Sequence, residues 1–150
     1  MFNGRTQDYD DTTITNSGFW CDITIEEFQK QRAIPLQIPV EMVKTALIAA
    51  MQGINLDLAE VEENYRKSAV NSVREISTQQ INGENYAETL YKKAVFARAK
   101  AELLQEFNTL SGREIHQNRE YVSEQKSLLA EATHAIRTLK GKKRGSVWLL

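Results

Sequence analysis

At 150 residues, with 41% hydrophobic and 26% charged side chains, the chain has the composition of one ordinary globular domain. A formal net charge of −1 gives no global pull toward nucleic acid or membrane, and a single cysteine, Cys21, excludes an intrachain disulfide and a Cys-rich metal site. The charge is nonetheless uneven: residues 1–64 carry eleven acids and four bases (net −7), residues 65–150 nine acids and fifteen bases (net +6).

In chain order, residues 1–15 are polar, and Thr12-Thr13-Ile14-Thr15 gives only a feeble strand signal. This segment reads as a flexible arm, expected to gain order only from a partner. The start lacks the apolar stretch of a signal peptide, and no apolar run reaches the length of a membrane span, so the expected setting is a soluble, reducing compartment. Phe19 and Trp20 follow Gly18 at the exit of the arm. Two large aromatics there either anchor the arm on the chain's own core or insert into another protein. Thr24-Ile25-Glu26-Glu27 has the spacing of a capping box and predicts a short helix that ends before Pro35.

Pro39 suits the first position of the next helix, where its missing N–H costs nothing. Val43, Leu47, Ala50, Ile54, Leu58, Val61 and Tyr65 then form one apolar stripe, which predicts a single helix of about thirty residues, ~45 Å long. Gly53 lies inside it, where it lets another helix approach closely. Ser77 to Gly83 breaks the pattern and reads as a linker.

A second long helix is predicted from Asn85 to Leu110. Its stripe is Tyr86, Leu90, Ala94, Ala97, Ala101 and Leu104, bordered by Phe96, Leu103 and Phe107, and its alanines permit a tight crossing. Ser111-Gly112 ends it. A third runs from Arg113 to Lys140 with Ile115, Val122, Leu129, Ala132, Ile136 and Leu139 in register, and Gly141 stops it. The organisation is therefore an arm (1–15), a helical bundle (16–141) and a basic, extended tail (142–150). The fold class is all-α, three long helices plus a short N-terminal one, with an extended apolar end.

Motifs with chemistry are scarce. The chain holds no Gly-rich phosphate loop, His-Glu-x-x-His, paired-Cys or Gly-x-Ser-x-Gly pattern. Glu131 and His134 form one Glu-x-x-His pair, but a di-metal bundle needs a second, and His116 has Arg113 in that place. Glu60, Glu62 and Glu63 read as a solvated or interface surface and Cys21 as an inert thiol. No catalytic residue, metal or cofactor is assigned. The sharpest electrostatic feature is the cluster Arg137, Lys140, Lys142, Lys143 and Arg144, which meets the negative end of the last helix and offers contacts to a partner or to phosphates. On that cluster alone, a small helical nucleic-acid-binding or regulatory protein stands as the alternative reading.

The stretches "NSGFWCDI" (from Asn16), "INGENYAETLYKKAVFARAKAELLQEF" (from Ile81) and "THAIRTLKGKKRGSVWLL" (to Leu150), in this order, resemble the head completion proteins of contractile-tailed bacteriophages. The resemblance covers nearly all of Asn16 to Leu150. It implies a non-enzymatic adaptor that docks on the portal protein after DNA packaging as a twelve-copy ring. Such a ring continues the DNA channel, with only non-specific proximity to DNA and no membrane contact. Its far side meets neck, stopper or tail-terminator proteins. The implied location is the virion neck, and the host cytoplasm during assembly. Val147, Trp148, Leu149 and Leu150 are the residues expected to bind the portal, and Phe19 and Trp20 those expected to fix the arm. The acidic first half and basic second half are expected to supply the two complementary faces that a closed ring needs.

Overall fold

The computed structural model describes residues 8–111 and 118–141. Strand β1 (Thr13–Ile14) pairs antiparallel with β2 (Ile23–Thr24), and helix α1 (Ile25–Gln31) follows without a gap. Helices α2 (Val40–Asp57) and α3 (Ala59–Lys67) come next, then a 3-10 turn (Val73–Glu75). A second strand pair, β3 (Gln80–Ile81) and β4 (Glu84–Asn85), leads into α4 (Tyr86–Ser111), and α5 (Asn118–Leu139) completes the order.

Local sequence explains most boundaries. Both arms of the capping box form at α1: Thr24 Oγ1 accepts from the Glu27 N–H at 3.2 Å, and Glu27 Oε2 accepts from the Thr24 N–H at 2.9 Å. The helix closes in a Schellman arrangement, with Ala33 at φ 51° and the Ile34 N–H donating to the Gln29 carbonyl at 3.1 Å. Asn85 caps α4 more elaborately. Its Oδ1 accepts from the N–H groups of Ala87 and Glu88, while its Nδ2 donates to the carbonyls of Arg74 and Ser77. One buried amide thus ties the hairpin and the 3-10 turn to the start of the central helix.

Helix α4 is the spine. Ala87, Tyr91, Val95, Ala99 and Leu103 are buried as well as Ala94, Ala97, Ala101 and Leu104, so the helix is covered on several sides rather than along one stripe. Its main neighbours are α5 and α2. Ala97, Ala101 and Leu104 meet Leu128 and Ala132 of α5, where the small residues let the two helices close up. On another side, Phe96 packs on Phe28 of α1 with ring centroids 5.3 Å apart. Among the described residues, no helix is long and apolar enough to cross a membrane.

The fold is mostly helical, as the periodicity implied, but four expectations require correction. The single thirty-residue helix is two: the backbone turns at Leu58 (φ −101°, ψ 8°) between α2 and α3. Its stripe still points inward, with the stripe residues from Val43 to Leu58 buried and Val61 and Tyr65 packed against the core. Periodicity reports which face is buried and is blind to a bend that preserves that face. The linker contains a hairpin: Asn82 (φ 55°) and Gly83 (φ 76°) both adopt left-handed geometry, as a two-residue type I′ turn requires. The arm is paired to its own chain from residue 13, without a partner, and residues 1–7 lie outside the described residues.

The fourth correction concerns α5. Val122 and Leu129 are 51% and 43% exposed, while Leu128, Ala132, Ala135, Ile136 and Leu139 are buried. A seven-residue step drifts by ~20° per repeat on a straight α-helix, so Leu129 and Val122 lie progressively off the face that buries Ile136. Tyr86, expected on the α4 stripe, is likewise 48% exposed. Residues 112–117, among them Ile115, lie outside the described residues.

Candidate functional site

The densest set of specific contacts surrounds the arm. Gly18 has φ 108°, a conformation L side chains rarely adopt, and the turn it allows points Phe19 and Trp20 inward. They are 1% and 2% exposed. Trp20 stacks on Tyr91 of α4 (centroids 5.1 Å, 9° between planes), and Phe19 meets Trp20 edge-on at 4.8 Å. The Arg66 guanidinium lies 5.2 Å over the Phe19 ring, and the Phe19 carbonyl accepts from the Val73 N–H at 2.9 Å.

Polar bonds close the same region. Asn16 Nδ2 donates to Tyr91 Oη (2.8 Å), Tyr91 Oη donates to Asn55 Oδ1 (2.6 Å), and Asn55 Nδ2 donates to Asn16 Oδ1 (2.8 Å). The three side chains form a closed ring that joins the arm, α2 and α4. Burial pushes the Tyr91 hydroxyl well above the ordinary tyrosine value, so it stays protonated and able to donate. Trp20 Nε1 is the exception, a buried N–H without a partner among the described residues.

Cys21 lies half-buried beside this cluster. Burial pushes its thiol up to about 12, which suppresses the reactive thiolate. Lys92 of α4 contacts Glu27 of α1 at 2.7 Å. Burial alone would raise the Glu27 carboxyl, but hydrogen bonds from Lys92 and Thr24 outweigh it and hold the group below its ordinary value.

Further round the bundle, Arg32 forms two bonds to Glu131 of α5, at 2.6 and 3.0 Å. Those bonds lower the Glu131 carboxyl. The acid of the Glu-x-x-His pair is therefore held by a guanidinium, and His134 faces solvent beside a groove of about 500 Å³ along α4 and α5, shared with Lys93 and Arg137. Glu62 and Glu63 pair with Arg66 and Lys67 one turn on. Gly53 admits a side chain rather than a helix: a Cβ there would meet the Arg98 guanidinium at 3.1 Å, and Arg98 reaches on to Asp57. The acidic and basic halves of the sequence thus meet partly within one chain, through Glu27–Lys92 and Asp57–Arg98.

Of the basic cluster, Arg137 and Lys140 are exposed at the end of α5, whereas Lys142, Lys143 and Arg144 lie outside the described residues, as do Val147, Trp148, Leu149 and Leu150. Periodicity misses Tyr91, Asn16 and Asn55. Tyr91 falls one residue beyond a stripe position, so the pattern gives it no role. Asn55 follows Ile54 and so lies about 100° round the helix, at the edge of the apolar stripe, where an amide reads as surface.

Residues 14–150 match the family described as phage head completion protein (GPL). The chain belongs to the phage head completion protein family. The match opens at Ile14, the first buried residue of the arm, so the Ile14–Ile23 pair and the stacked aromatics are inside the family's span. Over all 150 residues, and the whole length of both proteins, the chain is 86% identical to the probable head completion/stabilization protein of Haemophilus phage HP1. No solved structure matches the chain at a significant level. The family is one of structural phage proteins rather than enzymes, and the side-chain contacts around the arm join the arm, α2 and α4 of one chain.

Proposed function

We propose that this chain is a subunit of an adaptor ring, twelve copies in all, that docks on the portal after DNA packaging and links the filled head to the neck and tail. It works in the virion neck and, during assembly, in the host cytoplasm. In this reading the bundle is a rigid wedge, and Phe19 and Trp20 fix its arm on α4. Val147 to Leu150 reach the portal as an extended strand, with main-chain bonds for affinity and side chains for specificity. Stopper or tail-terminator proteins meet the far side, and packaged DNA passes through the channel without sequence-specific contact.

The observation that carries the reading is the span of the family match. It continues to residue 150, nine residues beyond Gly141, and this stretch holds three bases followed by four apolar residues. An apolar end that short is a poor solvent-exposed tail and calls for a covering surface.

Deletion of residues 145–150 is the test. The expected outcome is an unchanged melting temperature of the free protein with loss of binding to purified portal. A truncation that lowers the melting temperature by several degrees, where ~1 kcal/mol corresponds to roughly 2–8 °C, and still docks overturns the portal reading. Tight duplex-DNA binding with a steep salt dependence would instead favour the nucleic-acid alternative, whose support is the exposed pair Arg137 and Lys140.

A further inference from the structure

Two surface patches on different helices of this chain are apolar at the centre and opposite in charge. The first is on α5. At about 100° per residue, Glu120, Glu124 and Glu131 fall on one flank of that helix, and Val122, Lys126, Leu129, Arg137 and Lys140 fall on the other. The acidic flank is engaged: Glu131 binds Arg32 and Glu124 contacts Lys100 at 3.7 Å. The basic flank is open. Val122 and Leu129 are 51% and 43% exposed, and Lys126, Arg137 and Lys140 make no ion pair among the described residues.

The second patch spans the turn between α2 and α3. Leu56 is 78% exposed, the highest value among the large apolar side chains described. It sits two residues from buried Ile54, about 200° round the helix, and so points away from α4. Glu60 and Glu63 lie four and seven residues on, in α3 just past the turn at Leu58, both exposed. Glu60 has no ion pair among the described residues, and Glu63 holds only the solvent-exposed Lys67 at 3.3 Å, a contact that exchanges at little cost.

We propose that these patches are the two halves of the contact between neighbouring copies: Leu56 of one copy packs between Val122 and Leu129 of the next, with Glu60 and Glu63 facing Lys126 and Arg137. Charge complementarity identifies the occupant as a second copy of this chain, because each patch is what the other lacks. The patches are different, so the contact is head-to-tail; each copy uses one patch toward either neighbour, and the ring closes when the rotation between copies divides a full turn. The proposal rests on the ring reading above and adds the residues that make it.

The test uses three full-length proteins on purified portal, with copies per portal measured by light scattering and the fold of each variant verified by circular dichroism. Glu60→Lys/Glu63→Lys makes both patches basic, and Lys126→Glu/Arg137→Glu makes both acidic. Each variant alone is expected to need about tenfold more protein for half-assembly, since like charges then meet at every contact. An equimolar mixture of the two is expected to assemble like the wild type, because alternating copies restore every pair. Rescue by mixing distinguishes contact from simple loss of charge. If the wild type forms a ring and the reversal variants assemble equally well, the contact is overturned and the ring stands. If wild-type copies bind the portal singly and independently, both are overturned.

Discussion

The arm and the last helix invert what their sequences suggest. Residues 8–22 are polar and weakly patterned, yet they include Ile14, Phe19 and Trp20 in the core and a closed ring of side-chain hydrogen bonds. Helix α5 carries a long apolar series, yet leaves Val122 and Leu129 in solvent. The difference lies in what each segment meets. Several of the arm's polar groups find a particular partner, Asn16 on Tyr91 and Asn55, and Asp10 N–H on Gln29 Oε1, so polarity there is compatible with partial burial. The α5 series runs off the packed face because seven residues do not complete two α-helical turns, so apolarity there outruns the surface available inside the chain.

The most severe way to break this contrast is at the arm. Trp20→Ala removes the ring stacked on Tyr91 and opens a space beside Phe19 and Tyr91. The expected loss is about 3–5 kcal/mol, read as a lowered midpoint in chemical denaturation. Trp20→Phe sharpens the point: it keeps most of the stack and removes the unpartnered Nε1–H, so its loss is expected to be well under half as large. An unchanged midpoint for the alanine variant would show that the arm contributes nothing to the stability of the isolated subunit.

Adjacent residues on α5 give the second test. Leu128 is 7% exposed against Ala97 and Ala101, and Leu129 is 43% exposed one residue later. Leu128→Ala is expected to cost about 2–4 kcal/mol in the isolated chain, and Leu129→Ala less than about 1 kcal/mol. Equal losses would mean that α5 is rotated from the orientation described.

These two regions also mark what is legible in the sequence. Short-range rules work where one residue type decides a local bond, as in the Thr24–Glu27 capping box; Pro39 marks the start of α2 but sits at its N-cap, one residue before the first helical position expected for it. Period 3.6 locates the inner face of α2 and α3 correctly and misses the turn at Leu58 between them. The Asn82-Gly83 dipeptide is the signal for the hairpin, and it reads as a mere break because its flanking strands are only two residues each. The ring of Asn16, Asn55 and Tyr91 is out of reach. It joins residues 39 and 75 positions apart, and nothing short of the tertiary fold brings them together. The family resemblance is legible because it depends on the order of whole segments rather than on any one contact.

The smallest expected effect concerns the engaged flank of α5, where Arg32 holds Glu131. The Glu131 carboxyl is lowered from its ordinary 4.5, first by its hydrogen bond to Arg32, so the folded state binds that proton less readily than the unfolded state. Its contribution to stability is therefore complete at neutral pH, begins to fall as pH drops toward 4.5, and is lost as pH passes through the lower folded value. Glu131→Gln cannot titrate and should be less stable than the wild type at pH 7 by a modest amount, with the difference narrowing in acid. Arg32→Gln should show the same narrowing, because it leaves the carboxylate without its partner. Thermal unfolding of the three proteins between about pH 7 and pH 3.5, a range that brackets the ordinary carboxylate value, reads this directly. If the curves of the wild type and the Glu131→Gln variant stay parallel over that range, the Arg32 bond has no linkage to folding, and the order on this side of α5 must come from apolar packing against α4 alone.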